Sequence, residues 1–450
     1  MQLPKDDPIV VCDGIRTPIG QIAKSLSTVT PPELMRQTIV ALLAKLKLDP
    51  KVINQVVIGW VGQDVQAPNI ARVSILKSGL PEETSGFTVQ NNCISSIEAL
   101  ASAARTIVTG EADVVLAGGV ESMSTFPYTI QGSRSAKALR SIDTVKENWA
   151  NLWNTEGVVV GDTIDQGLTD PVKLINMAGT AEVCAQMYDI PREEQDKYAY
   201  ETFSRCLAAQ KRGFYATHTF PVKTNGATLL ENDEYPYLRE SLVTKPGLIN
   251  KAPVLFDSPA LTLKDFYNQF GGFINGKKYE EGKSKASVTL FNSCARSDGA
   301  AAVIVTRMSR AKALKLPISA IVRSWGFYGN NPAHMGVSPA YATKMALDRA
   351  DIAFDKLDQI ELHEPFAATI LSIFKVGKEK YGHNWQAKWE SKQLNPNGSS
   401  LALGHPLGAT GIRLLLNLQY AFKENPSSKL GLITACAGGG VGGAMIFERI

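Results

Sequence analysis

The sequence predicts an α/β protein of two similar halves around an inserted segment, and three observations carry that prediction. Short apolar runs alternate with amphipathic helical periods before about residue 120 and again after about residue 316. Between them, residues from about 125 to 285 hold few strand signals. The chain has 450 residues, long for a single core, so two or more domains are expected. The expected division is 1–120 with 286–315, an inserted loop domain at 121–285, and 316–450.

The elements follow in order. Ile9-Val-Val-Cys12 reads as a short buried strand and Asp13 to Gly20 as a turn-rich loop. Thr30-Pro-Pro-Glu33 reads as a capping box with Pro at the first helical position. It opens a helix with Leu34, Ile39, Leu42, Leu43 and Leu46 on its apolar face. Val56 to Trp60 is a second strand, and Phe87 and Val89 mark a short extended segment. From Ile94 the apolar residues fall at Ile97, Ala101, Ala104 and Val108, the stripe of a packed helix. Gly110 is placed to end that helix in a left-handed conformation. Asp113 to Gly119 is a buried strand ending in glycines.

In the insert, Pro191 to Gly213 has acids in its first turn, bases in its last and Gly just beyond, a helix with both ends marked. Glu231 to Ser287 is rich in Pro, Gly and aromatics without a sustained period, and is expected to be a long irregular excursion. Gly132 to Arg140 is a small basic stretch, either a solvated face or a contact to an anionic ligand. Ala301 to Thr306 returns to strand patterning. The second half then reads as a strand at Ala320 to Ser324, a helix at Tyr341 to Ala350 and a strand at Gln359 to Leu362. A helix after Gly408-Ala-Thr-Gly411 and strands at Leu430 to Thr434 and Ala444 to Phe447 complete it. The alternation implies a mostly parallel sheet, and two similar halves imply a site at their junction.

Composition narrows the function. A hydrophobic fraction of 44% and a charged fraction of 20% are those of a globular protein. A net charge of +4 is small for this length and argues against nucleic-acid or membrane-surface binding, while allowing an anionic small substrate at a local patch. The six cysteines are scattered and form no C-x-x-C pair, so zinc and redox motifs are weak readings. The first residues lack an apolar secretory core, and no apolar run is long enough to span a bilayer. A reducing, cytoplasmic setting is the expectation.

Cys93 is the first candidate for chemistry. It precedes the helix that starts near Ile94, where unpaired N–H groups and the helix dipole favour a thiolate. A buried, inert cysteine fits the position equally well. Three later stretches place reactive residues among glycines or in loops: Glu361-Leu-His363-Glu-Pro-Phe, Gly404-His405-Pro-Leu-Gly-Ala-Thr-Gly, and Thr434-Ala-Cys436-Ala-Gly438-Gly-Gly. Each follows a strand or precedes a helix, where α/β folds place active sites. A nucleophilic Cys needs a base and donors for an oxyanion, and a glycine run lets backbone N–H groups approach a ligand. A helix-entry turn or a bulged strand explains any one motif, but not all of them together.

Taken in order, the motifs resemble those of the thiolase family. They are Asp13-Gly-Ile-Arg-Thr-Pro, Asn92-Cys93, Ala117-Gly-Gly-Val-Glu-Ser-Met123, Gly179-Thr-Ala-Glu182, Ser297-Asp-Gly-Ala-Ala, His363-Glu-Pro-Phe-Ala-Ala, Gly404 to Gly411, and Cys436-Ala-Gly-Gly-Gly. The resemblance runs from about Ile9 to Arg449. It implies a thiolase-like fold, two α/β halves in an αβαβα layering with an inserted loop domain. It implies cleavage of a 3-ketoacyl-CoA by CoA, or the reverse condensation. Cys93 would be the acylated nucleophile, and His405 its activator and part of one oxyanion hole. His363 would position a water for that hole, and Cys436 would be the acid/base at the acetyl α-carbon. The N–H groups of Cys93 and Gly438 would form the other hole. Met177, Ser293 and Cys294 would contact substrate. CoA is then a co-substrate, with no permanently bound cofactor and no metal. The implied assembly is a homodimer or homotetramer, or a complex with a hydratase/dehydrogenase subunit.

Some positions depart from the family pattern. His363 stands where many members carry Asn, and resembles the β-oxidation branch that works beside hydratase and dehydrogenase subunits; Pro365 is commonly Ala. Asn176-Met177 replaces the His-Met of short-chain biosynthetic members, and Cys294 replaces a usual pantetheine-binding serine, with Ser293 beside it. β-Oxidation is the expected setting and biosynthetic acetoacetyl-CoA formation the alternative. A decarboxylating ketoacyl synthase lacks the second reactive cysteine, and a non-catalytic acyl-CoA-binding scaffold usually loses one of the reactive residues.

Overall fold

The computed structural model describes residues 3–132, 141–147, 149–259 and 261–450. A ten-stranded sheet runs through it. Its main strands are β1 (Ile9–Arg16), β2 (Gln55–Trp60), β3 (Ser85–Val89), β4 (Val114–Ser122) and β5 (Ser297–Arg307). They continue with β6 (Ile318–Gly329), β7 (Gln359–Leu362), β8 (Leu430–Ala437) and β9 (Val441–Glu448). The order is β7-β8-β9-β6-β1-β5-β4-β2-β3, and a two-residue strand at Gly20–Gln21 pairs with β5. Read outward from the central β1–β6 pair, both sides follow one pattern. Two antiparallel steps (β5 and β4; β9 and β8) are followed by a parallel one (β2; β7).

The expected mostly parallel sheet is therefore incorrect. Only β2–β3, β2–β4 and β7–β8 are parallel, and the other five pairs among the main strands are antiparallel. Helical crossovers give the parallel pairs, whereas a tight glycine turn joins β8 to β9 and can only reverse the chain.

Helices cover both faces. They are α1 (Pro31–Leu46), α2 (Ile70–Ser78), α3 (Ser95–Thr109), α4 (Met177–Met187) and α5 (Arg192–Lys211). Then come α6 (Leu263–Phe270), α7 (Ser338–Ala350), α8 (Ala367–Tyr381) and α9 (Thr410–Glu424). Strand side chains alternate between layers, as the pleat requires. In β4, Val114, Leu116 and Val120 pack toward α1 and α2, while Val115 and Ala117 pack toward α3 and α9. In β8, Ile433 and Ala435 face α3 and α9, and Leu432 faces the α7 and α8 side. The result is the αβαβα order, with α3 and α9 as the middle layer. Ile97, Leu100 and Ile107 of α3 are buried there, each worth roughly 1.5–3 kcal/mol.

Local expectations held or failed for physical reasons. Helix α3 ends at Gly110 in the left-handed region (φ 80°), and α5 spans Arg192 to Lys211 as its end signals require. The capping box at Thr30 does not form, because Glu33 bonds Arg36 and Gln37 instead. Pro31 and Pro32 bring no N–H, so fewer donors need a cap. The expected loop at Asp13 is strand as far as Arg16. Gly14 is there for space: a Cβ would lie 2.4 Å from Val303 and 2.6 Å from the Ala302 carbonyl. Glu231 to Ser287 is not irregular throughout. It contains α6, opened by a Thr262–Asp265 capping box, with Phe266 and Phe270 in a small apolar cluster. The insert also holds two-stranded pairs at 128–131/159–162 and 222–224/227–230. Ser133 to Arg140 of the basic stretch lie outside the described residues. Among the described residues no helix is long and apolar enough to cross a membrane.

Candidate active site

Three chain segments meet beyond the C-terminal ends of the parallel strands. Cys93 follows β3, His363 directly follows β7, and Cys436 lies near the end of β8. The His363 N–H donates to the Thr434 carbonyl at 2.9 Å, which ties the first residue after β7 to β8.

Cys93 sits in a tight turn. Asn92 adopts φ 47°, an uncommon conformation for a residue with a side chain. The turn is over-determined, since the Asn91 N–H donates to Ser95 Oγ and Ser95 Oγ donates to the Asn92 carbonyl. Asn92 Nδ2 donates to the Gly438 carbonyl at 2.9 Å, joining the turn to the glycine run. The Gly438 N–H and the N–H of Cys93 itself both face the thiol. Met177, at the start of α4, adjoins the same glycine: a Cβ on Gly438 would lie 3.4 Å from its Sδ.

Of the two readings the sequence leaves open for Cys93, its surroundings favour the neutral thiol at rest. Helix α3 begins only at Ser95, and burial pushes the Cys93 thiol up to about 12 against the two N–H groups. Desolvation penalises the anion more than those donors relieve it. The Cys436 thiol is held well above its usual range, by burial first and then by the neighbouring Cys93. Cys294 is half-buried and also within electrostatic reach of Cys93, with its own thiol pushed up to about 12 by burial. Ser293 does not share that position. It is buried, and its hydroxyl donates to the Thr289 carbonyl at 2.6 Å.

The two histidines come together. The rings of His363 and His405 are 4.1 Å apart, centroid to centroid, and tilted by 39°. Each is anchored through Nδ1, His363 to Ser400 Oγ at 2.6 Å and His405 to Thr410 Oγ1 at 2.7 Å. Each has a buried Nε2 with no partner among the described residues. Burial lowers His405 to about 3 and His363 well below its usual value, so both are neutral imidazoles near neutral pH. Gly404 (φ 98°) shapes the approach, since a Cβ there would lie 2.3 Å from Ser297 Oγ, which accepts the His405 N–H at 3.0 Å.

Several supporting residues escaped sequence reasoning. Glu121 accepts from the N–H groups of Val61, Gly62 and Gly408, and so ties two loops together within electrostatic reach of Cys93. Burial raises its carboxyl to about 7. Glu364 accepts from Tyr198, Thr202 and Asn395, anchoring the His363 loop to α5 of the insert. Arg413 is buried on α9 and donates to Ser399 and Ser400. Its signal was visible as one charge inside the apolar run Ile412 to Leu416. No sequence signal marks Ser400.

A half-buried thiol facing a glycine N–H, a second and buried thiol within its electrostatic reach, and a pair of neutral imidazoles are the apparatus of cysteine-based acyl transfer. The comparisons agree with that class. The models for the thiolase N-terminal domain and the thiolase C-terminal domain match residues 9–244 and 316–449. A probable acetyl-CoA acetyltransferase of Escherichia coli (strain K12) is 33% identical over 444 residues, covering 98% of this chain and 99% of the relative. The crystal structure of a Bacillus anthracis acetyl-CoA acetyltransferase superposes with a TM-score of 0.81 at 28% identity, covering 99% of both chains. That of human mitochondrial 3-ketoacyl-CoA thiolase in complex with CoA gives 0.81 at 27% identity, covering 100% of both. The chain belongs to the thiolase family. It is an acyltransferase, and thiolases use CoA as a substrate.

Proposed function

We propose that Cys93 accepts the acyl group and that the enzyme works in the thiolytic direction on 3-ketoacyl-CoA. The observation that carries this reading is the pairing of Cys93 and Cys436 with two histidines whose Nε2 atoms are buried and unpartnered. His405 Nε2 takes the Cys93 proton, and the thiolate attacks the 3-keto carbon. The N–H groups of Cys93 and Gly438 hold the resulting oxyanion. The C2–C3 bond then breaks, and its electrons leave as the acetyl-CoA enolate. His405, now protonated, and a water held by His363 stabilise the enolate oxygen, while Cys436 protonates the α-carbon. The Cys436 thiolate then takes the proton of the CoA thiol, the CoA sulfur attacks the acyl-Cys93 thioester, and Cys93 leaves as a thiolate that His405 reprotonates, releasing the shortened acyl-CoA.

Met177 and Cys294 line the substrate path in this reading, with Ser293 behind Cys294. No permanently bound cofactor or metal is required. Residues 1–120 with 286–315 and residues 316–450 act as the two thiolase halves, with 121–285 as the loop domain. His363 favours a degradative, β-oxidation role over biosynthesis. A cytoplasmic homodimer or homotetramer, or a complex with a hydratase/dehydrogenase subunit, is the proposed working form. The test is direct. Purified protein with CoA should cleave acetoacetyl-CoA and longer 3-ketoacyl-CoA, and an acyl adduct should map to Cys93 by mass spectrometry. Absence of both cleavage and adduct refutes the proposal, and an adduct on another cysteine reassigns the nucleophile.

A further inference from the structure

His363 and His405 are alike in chemistry and burial, so something must decide which ring takes a proton and which offers one. The deciding contacts lie behind the rings. Thr410 Oγ1 donates to the Pro406 carbonyl at 3.2 Å, and a hydroxyl has one proton to give. With its proton assigned to that carbonyl, the hydroxyl oxygen accepts the His405 Nδ1–H across their 2.7 Å contact. A neutral imidazole carries one proton, so His405 Nε2 is left as a bare lone pair.

Ser400 is wired the opposite way. Arg413 Nη2 donates to Ser400 Oγ, and a guanidinium cannot accept. Among the described residues the Ser400 hydroxyl proton has one acceptor in reach, His363 Nδ1 at 2.6 Å. His363 Nδ1 therefore accepts, and the ring proton lies on Nε2. Arg413 Nη1 donates at 2.9 Å to the adjacent Ser399, so two consecutive hydroxyls hold the guanidinium in place. Arg413 has no direct ion pair among the described residues; Glu361 and Glu364 lie within electrostatic reach of it, and burial raises both of their carboxyls.

We infer that Ser400, oriented by Arg413, fixes His363 as an Nε2–H donor beside the bare Nε2 of His405, which makes Ser400 and Arg413 positioning residues. The inference deepens the proposed function and rests on its assignment of His405 as base and His363 as donor to a held water. The arrangement divides the labour between adjacent rings. His363 cannot compete for the Cys93 proton, because its outward nitrogen already carries one. Two bare lone pairs side by side would repel a developing oxyanion, and two N–H groups would leave Cys93 without a base. In the resting site both rings are neutral, through burial first and then through the nearness of Arg413, and a proton taken by His405 disfavours a second one on His363 4.1 Å away.

The test reads the tautomers directly, in the full-length protein labelled with ¹⁵N-histidine. Long-range ¹H–¹⁵N correlation spectra, assigned with His363→Asn and His405→Asn, should show the Nε2–H pattern for His363 and the Nδ1–H pattern for His405. In Ser400→Ala the His363 pattern should move while that of His405 stays. Thiolysis kcat for acetoacetyl-CoA should fall about 10–100-fold, with KM changed less than about 3-fold. Ser400→Thr keeps the hydroxyl and should restore both pattern and rate. An Nδ1–H pattern for His363 in the unsubstituted protein overturns the inference. So does a His363 pattern that survives Ser400→Ala. If the unsubstituted protein shows opposite patterns but no thiolysis, the tautomer assignment stands and the functional proposal fails instead.

Discussion

Replacing His405 by Asn tests the central step of the proposed chemistry. The Cys93 thiol is pushed up to about 12 by burial. Without a base, the thiolate fraction at pH 8 is then about one in ten thousand, since each pH unit below the pKa is worth tenfold. A positioned general base typically supplies 10²–10⁴-fold. His405→Asn should therefore slow acetylation of Cys93 by acetyl-CoA on the order of 10²–10⁴-fold, read as the rate of adduct formation by rapid quench and intact-protein mass spectrometry. The pH dependence is more diagnostic than the size. In the variant, thiolate can form only by direct ionisation, so the residual rate should climb about tenfold per pH unit between pH 7 and 9. In the unsubstituted protein His405 is neutral throughout that range, because burial holds it at about 3. Its rate should be nearly flat there. A variant rate that is also flat, or a loss below about fivefold, refutes the base assignment.

The other expectations are narrower. Cys436→Ser should still form the acetyl adduct on Cys93 but lose thiolysis, condensation and exchange of the acetyl-CoA methyl protons with heavy water, whereas Cys93→Ala should lose the adduct too. His363→Ala should lower kcat by about a hundredfold with KM nearly unchanged, because a transition-state donor is lost rather than a binding contact. Gly119→Ala puts a Cβ 2.3 Å from the Gly408 carbonyl and 2.7 Å from Ser96 Cβ, and should destabilise by about 1–3 kcal/mol, measured by urea unfolding. His405 is depressed on folding from 6.5 to about 3, so the unfolded chain binds its proton first. Its contribution is present above pH 6.5 and is lost as pH falls toward 3, and His405→Asn should flatten the acid limb of the stability profile over that window.

The sequence by itself determined most of the parts. Local rules located α3, α5, α7, β2 and β4: a three-four stripe for α3, charged ends and a following Gly for α5, and short apolar runs for the strands. The candidate reactive residues were legible because glycine-rich contexts isolate Cys93, His405 and Cys436, and because five histidines leave few choices. Tertiary structure decided what local rules cannot reach. Strand direction depended on which distant strands became neighbours, so the antiparallel majority was invisible in the alternation. At Gly14 a residue that reads as a turn former is in a strand, where the close approach of Val303 and Ala302 leaves no room for a Cβ. Protonation was decided the same way. A helix start favours a thiolate, but the half-buried Cys93 is partly desolvated by its neighbours, and that desolvation outweighs two N–H groups. The pairing of the two rings and the serine behind one of them join positions 363, 400, 405 and 413 through contacts between side chains on different elements. Such contacts have no period, so only the folded chain displays them.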